Sequence, residues 1–336
     1  MVHFVPPADE RSAPQQLPNS SLSLVKILLA FASTSRQSLP IMKIALQTWL
    51  LATVLSFQIT PSQAAGLKLL LIDGQNNHDW KSSTPVLKDI LEQTGLFEVD
   101  IATSPGRGKD MNEFKPNFSG YKVIVSNYNG EPWAKETQEA LVRFVHEGGG
   151  FVAVHAADNS FPKWQEYNQM IGLGGWEGRN EKSGPLLRLR DGKFVPDPRP
   201  GPGGHHGAQH AFLMETRASV HPIMAGLPAK WMHAKDELYD QLRGPAENMT
   251  ILASAYSDPA KGGSGEHEPL LMAIAYGKGR VFHTALGHNN GKDVTAQKCV
   301  GFIVTLQRGT EWAATGKVTQ KIPADFPTAD QVRSRP

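Results

Sequence analysis

Cysteine is almost missing from this chain: Cys299 stands alone among 336 residues. That excludes an intramolecular disulfide framework, a cysteine-ligated structural zinc and a Cys-X-X-Cys redox pair. Net charge is nearly missing too, since 34 Lys and Arg face 32 Asp and Glu. A protein whose task is gripping nucleic acid needs a basic excess, so no nucleic-acid partner is expected. No apolar run is long enough to span a bilayer comfortably, which takes about 20 residues. The best candidate, Ile44–Ile59, is interrupted by Gln47 and Gln58. Nucleotide signatures are absent as well. There is no P-loop and no Gly-x-Ser-x-Gly elbow, and Asp73-Gly74-Gln75-Asn76 stands where a dinucleotide fold carries its Gly-x-Gly-x-x-Gly. No nucleotide cofactor is expected.

What is present begins with an export signal. Lys43 precedes the apolar run, Pro61 ends it, and Ser62 and Ala64 occupy the small positions that a signal peptidase requires. Residues 42–65 therefore read as a secretory signal peptide starting at an internal Met42. Residues 1–41 read as an extension ahead of the true start, and the mature chain begins near Ala65. Removing residues 1–65 removes four basic and two acidic side chains and leaves no net charge. A periplasmic or secreted protein without stable membrane insertion is the expectation.

Beyond residue 66 the pattern is a strand–helix alternation. Leu67–Asp73, Phe97–Ala102, Tyr121–Ser126 and Phe151–His155 read as strands, with helices over Pro85–Gln93 and Ala134–Glu147. Such alternation predicts an α/β fold: a parallel sheet with right-handed crossovers. The stretch 157–210 is crowded with Gly and Pro and reads as a long lid or binding loop. Strands resume at His210–Thr216, Thr250–Tyr256, Leu270–Tyr276 and Arg280–Ala285, the last two joined by a hairpin at Gly277-Lys278-Gly279. Val294–Gln307 reads as a final helix with Cys299 on its apolar stripe, which makes the thiol structural. The domain thus runs over 66–316, and the Pro-rich tail 317–336 wraps the surface or frays.

Twelve histidines are many for this length, and their placement is the main clue. In an open parallel sheet, ligands bind beyond the carboxyl ends of the strands. Asn77, His78, Asp79 and Trp80 follow the first strand, and Asn127 and Asn129 follow the third. His155, Asp158 and Asn159 follow the fourth, and His288 and Asn289 follow the last. Topology gathers these residues on one rim, which reads as one site. Each also has an ordinary role: His78 can cap the next helix, His155 can be a buried neutral ring, and Asp236 and Glu237 can form surface ion pairs. His283 reads as packing. The densest cluster, from His205 to His210, sits among glycines, so the helical i,i+4 spacing of His206 and His210 carries little. A divalent zinc or manganese ion held by some of His78, His155, His206, His210 and His288 is one expectation. Trp80, Trp133, Trp164 and Trp176 offer flat surface for sugar rings, or simply pack.

Five ordered segments also carry a family resemblance: Leu69–Trp80, Gly148–Phe161, His221–Leu227, Asp236–Tyr239 and Tyr276–His288. Together they resemble the ThuA-like, or trehalose-utilisation, family over almost the whole mature chain. The resemblance implies a flavodoxin-like sheet with helices on both faces, similar to the class I glutamine amidotransferases. Those enzymes carry a Cys nucleophile where this chain has His155-Ala156-Ala157, so glutaminase activity is not implied. It does imply a role in breakdown of trehalose or related disaccharides, including 3-keto sugars. It carries over His78, His155, His210, His221, Asp236, Glu237 and His288 as site residues. The combined expectation takes His155, His78, Glu237 and Asp236 as catalytic. Asn77, Asp79, Trp80, Asn127, Asp158, Asn159, His221 and Asn289 are taken as substrate-binding. A small-molecule carbohydrate is the expected partner, and a non-catalytic carbohydrate-binding protein is the alternative.

Overall fold

A computed structural model describes residues 66–336; the expected leader and the segment before it lie outside the described residues. The order is Leu67–Asp73 (β1), Trp80–Glu92 (α1), Phe97–Thr103 (β2), Val123–Ser126 (β3), Lys135–His146 (α2), Gly150–Val154 (β4) and Gln165–Ile171 (α3). Then come Leu186–Arg190 (β5), Lys193–Asp197 (β6), His205–His206 (β7), His210–Thr216 (β8), Lys230–Asp236 (β9) and Tyr239–Asp240 (β10). Met249–Tyr256 (β11), His267–Tyr276 (β12), Gly279–Thr284 (β13), Thr295–Lys298 (α4) and Val300–Thr315 (α5) complete it.

One nine-stranded sheet runs β2-β1-β3-β4-β13-β12-β11-β8-β9. The first five strands are parallel, as the alternation predicts, and their inner members are buried on both faces. The remaining four strands pair antiparallel, so the sheet is mixed. The switch happens at the two-residue turn Gly277-Lys278, which reverses the chain between β12 and β13. From β1 the chain first adds β2 on one side and then β3 on the other. Right-handed crossovers therefore put α1 and α2 on opposite faces, and leave a crevice between the carboxyl ends of β1 and β3.

Three local readings need correction. The first helix begins at Trp80, five residues before Pro85, because Asp79 caps it by accepting from Ser82 N. The stretch 157–210 is not one loop: it holds α3 and the β5–β6 hairpin, with Pro196 tolerated because β6 pairs on one side only. The last helix is broken at Cys299, whose extended ψ of 127° separates α4 from α5. The tail does not fray. Thr328 O accepts from Met232 N at 2.7 Å, on the outer edge strand β9, and Arg333 O accepts from Val300 N at 2.9 Å. No helix among the described residues is long and apolar enough to cross a membrane.

Candidate metal centre

Four side chains from four distant segments meet beyond the carboxyl ends of the parallel strands. His78 follows β1, His155 follows β4, Glu237 follows β9 and His288 follows β13. One ligand-type atom from each lies within 4.8 Å of every other. Glu237 Oε2 is their common point, at 3.5 Å from His78 Nε2, 3.5 Å from His155 Nε2 and 3.1 Å from His288 Nδ1.

The hydrogen-bond inventory makes this convergence costly for the bare residues. His155 Nδ1 lies 2.8 Å from the Ala285 carbonyl, which only accepts, so Nδ1 carries the proton. In a neutral ring, Nε2 then offers a lone pair to the Glu237 carboxylate, and both are acceptors. The buried nitrogens His155 Nε2 and His288 Nδ1 indeed have no hydrogen-bond partner among the described residues. A positive charge at the centre resolves the conflict, either as a proton or as a divalent cation. Three imidazoles and one carboxylate are a donor set that suits zinc and its neighbours. At zinc–ligand lengths of about 2.0–2.2 Å, tetrahedral ligand atoms stand about 3.3–3.6 Å apart, close to the spacings around Glu237. The Ala285 bond also fixes the His155 tautomer, as metal-binding histidines require.

Titration follows the same geometry. Burial lowers the His78 pKa. Burial also opposes charge on His155, but Glu237 and Asp236 outweigh it and raise its pKa. Glu237 is buried too, yet the three imidazoles hold its carboxyl far below the usual carboxylate range.

Asp236, expected beside Glu237 in the chemistry, stands behind it. It is 1% exposed and accepts four hydrogen bonds. Oδ1 takes Glu237 N at 2.7 Å and His288 N at 3.1 Å, while Oδ2 takes Gly287 N and His233 Nε2 at 2.8 Å each. The carboxylate thus ties the end of β9 to the loop after β13, and so sets where Glu237 and His288 meet. Gly287 makes this possible with a φ of +113°, the left-handed region that glycine enters without steric cost. Behind Asp236, the Cys299 thiol lies beside His233. His233 is buried, and although burial opposes its charge, Cys299 and Asp236 push its pKa up to about 10.

The mouth of the centre is a cavity of about 210 Å³ lined by Asn77, Asn129, Asn159, Trp176, His206 and Tyr239 among others. The Tyr239 ring stacks on His155 with centroids 4.3 Å apart, and Trp176 leans on Tyr239 at 4.6 Å. Burial, with the charges of Asp158 and Glu237, raises the Tyr239 pKa and keeps the phenol a donor. His206 sits at the entrance, 3.7 Å from Glu237 Oε1. Gly204 has a φ of +86°, and a Cβ there would meet Trp176 N at 2.5 Å, so glycine lets β7 pass beneath Trp176.

Of the expected substrate-binding residues, Asn77 and Asn159 line this cavity. The others lie outside its lining. Asp79 caps α1, Asn127 Nδ2 donates to Thr84, and Asn289 bonds Ser82, Gly291 and Gln297. Asp158 pairs with buried His283 at 3.2 Å. Trp80 lies at the α1 N-terminus with Lys81 over its ring, outside the cavity lining. His221 packs on Trp312, and half-buried His210 bonds Ala208 O; neither joins the four-residue centre. Trp133 is 3% exposed inside an aromatic cluster with Tyr128, Phe161 and Trp164. Sequence reasoning missed Tyr239 and Glu177. Tyr239 had a signal, since it stands two residues from Glu237 and alternation returns it to the same side.

Fold and site together define an α/β protein with a histidine-rich centre at the strand ends of a flavodoxin-like half-sheet. The sequence model of the ThuA family, described as trehalose utilisation, matches residues 68–313, and the chain belongs to that family. A ThuA-like protein from Parabacteroides merdae, known by crystal structure, is 53% identical, with 80% of this chain and 98% of that one covered and a TM-score of 0.79. A second ThuA-like crystal structure, from Bacteroides uniformis, is 17% identical, with 75% and 93% covered and a TM-score of 0.48. No match was found among curated proteins.

Proposed function

We propose that the protein is an exported, metal-assisted enzyme acting on a sugar of the trehalose type or its 3-keto derivative. The observation that carries this reading is the convergence of His78, His155 and His288 on one oxygen of Glu237, with ring nitrogens left unpartnered in a buried setting. Binding a sugar does not require such a conflict of acceptors, whereas holding a zinc or manganese ion does. The ion would supply Lewis-acid polarisation of a sugar oxygen. The chain's own residues do the rest. Trp176 and Tyr239 give flat apolar surface against a ring face, and Asn77, Asn129 and Asn159 offer amides to hydroxyls. His206 at the entrance is placed to exchange a proton with bound substrate. Family membership supports the carbohydrate class, and residues 42–65 carry the export signal.

The test is metal analysis of the purified mature protein, followed by turnover of trehalose and 3-keto-trehalose with and without chelator. Stoichiometric metal and chelator-sensitive turnover are expected. A metal-free protein that binds sugar unaltered after chelation would return the reading to a non-catalytic binding protein.

A further inference from the structure

A larger cleft, about 530 Å³, adjoins the mouth of the centre, and Asn129, Asn159 and Glu177 line both. We infer that this cleft is a second subsite, taking the second ring of an uncharged two-ring glycoside whose reacting ring sits at the centre. The inference rests on the carbohydrate reading above and adds where the substrate's second ring lies.

Volume argues first. Small-molecule sites usually enclose about 300–1,000 Å³, and the cavity of about 210 Å³ falls short of that range alone. The adjoining cleft lies within it. Chemistry argues next. The floor of the cleft is Phe161 and Trp164, locked in an aromatic cluster with ring centroids 5.3 Å apart. Such a floor is rigid before any ligand arrives, which lowers the cost of binding. Its rim is polar: Arg107, Lys163, Gln165, Glu166 and Glu177 are exposed. None of these five side chains makes a hydrogen bond or ion pair to another described residue. An apolar floor under a rim of free donors and acceptors matches a sugar ring, which has apolar faces and a hydroxyl edge. Two cations and two carboxylates on the rim balance, so the second ring is uncharged.

The seam between the two spaces is built rather than incidental. Asn159 is 4% exposed, and its Oδ1 has no hydrogen-bond partner, although it lines both spaces. Phe161, Trp176 and Glu177 all hold left-handed backbone, with φ of 51°, 52° and 48°. Non-glycine residues adopt that conformation at a cost, and it gathers where a site demands it.

The experiment is calorimetric titration of the purified protein with glucose, trehalose, maltose and cellobiose, on three backgrounds. At least one disaccharide should bind about tenfold more tightly than glucose, because the second ring adds contacts to a preformed surface. The exposed double variant Lys163→Ala/Gln165→Ala should lose that advantage, with glucose affinity, metal content and melting temperature unchanged. Trp176→Ala, inside the small cavity, should weaken glucose and disaccharide alike. Equal affinity for one and two rings, or a double variant that keeps the disaccharide advantage, overturns the second subsite alone. Failure of every sugar to bind overturns the carbohydrate reading and the subsite with it.

Discussion

Replacing Asp236 with Asn keeps the shape of the side chain but turns one of its two oxygens into a donor. The carboxylate serves three backbone N–H groups and one imidazole, two per oxygen. If the amide takes the place of Oδ2, His233 can give up its Nε2 proton and accept through that nitrogen, but Gly287 N–H is stranded. If it takes the place of Oδ1, both Glu237 N–H and His288 N–H are stranded. The milder arrangement prevails, and one buried unpaired donor costs about 1–3 kcal/mol. Against a total stability of about 5–15 kcal/mol, the variant still folds. The centre suffers more, because one of the two bonds that tie the Gly287–His288 backbone to the end of β9 is lost. Loss of such a support behind metal ligands typically weakens affinity by about 10–100-fold. Urea unfolding of the metal-free protein gives the first number, and titration with zinc or cobalt gives the second. Wild-type metal affinity in a variant destabilised by the expected amount would refute the positioning role of Asp236 and leave it a purely structural residue.

Four further outcomes can be checked. Glu237→Gln should abolish metal binding and lower the metal-free melting temperature, because the imidazoles that hold the carboxylate in its charged form lose that partner; an unchanged melting temperature would contradict that pairing. In the unaltered protein, metal at 100 times its Kd should add about 2.7 kcal/mol of stability, and a melting curve indifferent to zinc and manganese would argue against the site. For pH, His233 has its folded pKa at about 10, above an unfolded value near 6.5. Its contribution is therefore complete below about pH 6.5 and is lost as pH rises toward 10, while Cys299, whose pKa is lowered, contributes in the opposite sense. In Cys299→Ser, where Asp236 alone raises the His233 pKa, urea midpoints of metal-free protein should fall above about pH 6.5, and flat midpoints would refute this. For export, amino-terminal sequencing of secreted protein should begin at Ala65 or Gly66, and recovery of intact residues 1–41 would defeat the leader.

The parallel half of the sheet was readable because strands buried on both faces leave continuous apolar runs such as Leu69–Ile72 and Val123–Val125. The edge at β9 was not. Lys230–Asp236 has buried residues at 231, 233, 234 and 236, so its alternation is broken and no strand is apparent. The β5–β6 hairpin hid in a Pro-rich stretch because an edge strand accepts Pro196, whereas composition alone says loop. The break at Cys299 carries no Gly or Pro, and apolar spacing continues across it, so the two helices read as one.

At the site, position after a strand identified His78, His155 and His288, since topology alone brings those three ends together. The same rule also selected Asp79, Asn127 and Asn289, whose hydrogen bonds hold the loops in place. Sequence separates the two groups poorly, because a loop that presents a ligand needs polar residues to brace it. Asp236 and Glu237 show the point most sharply. They are adjacent and chemically alike, yet one faces the imidazoles and the other faces the backbone behind them. Their division of labour depends on β9 lying where its end meets the loop after β13, and on His233 waiting beneath. The carboxylate that stands behind the imidazoles is thus the more buried and more heavily bonded of the two. Its four hydrogen bonds hold Glu237 and His288 close enough for the centre to exist.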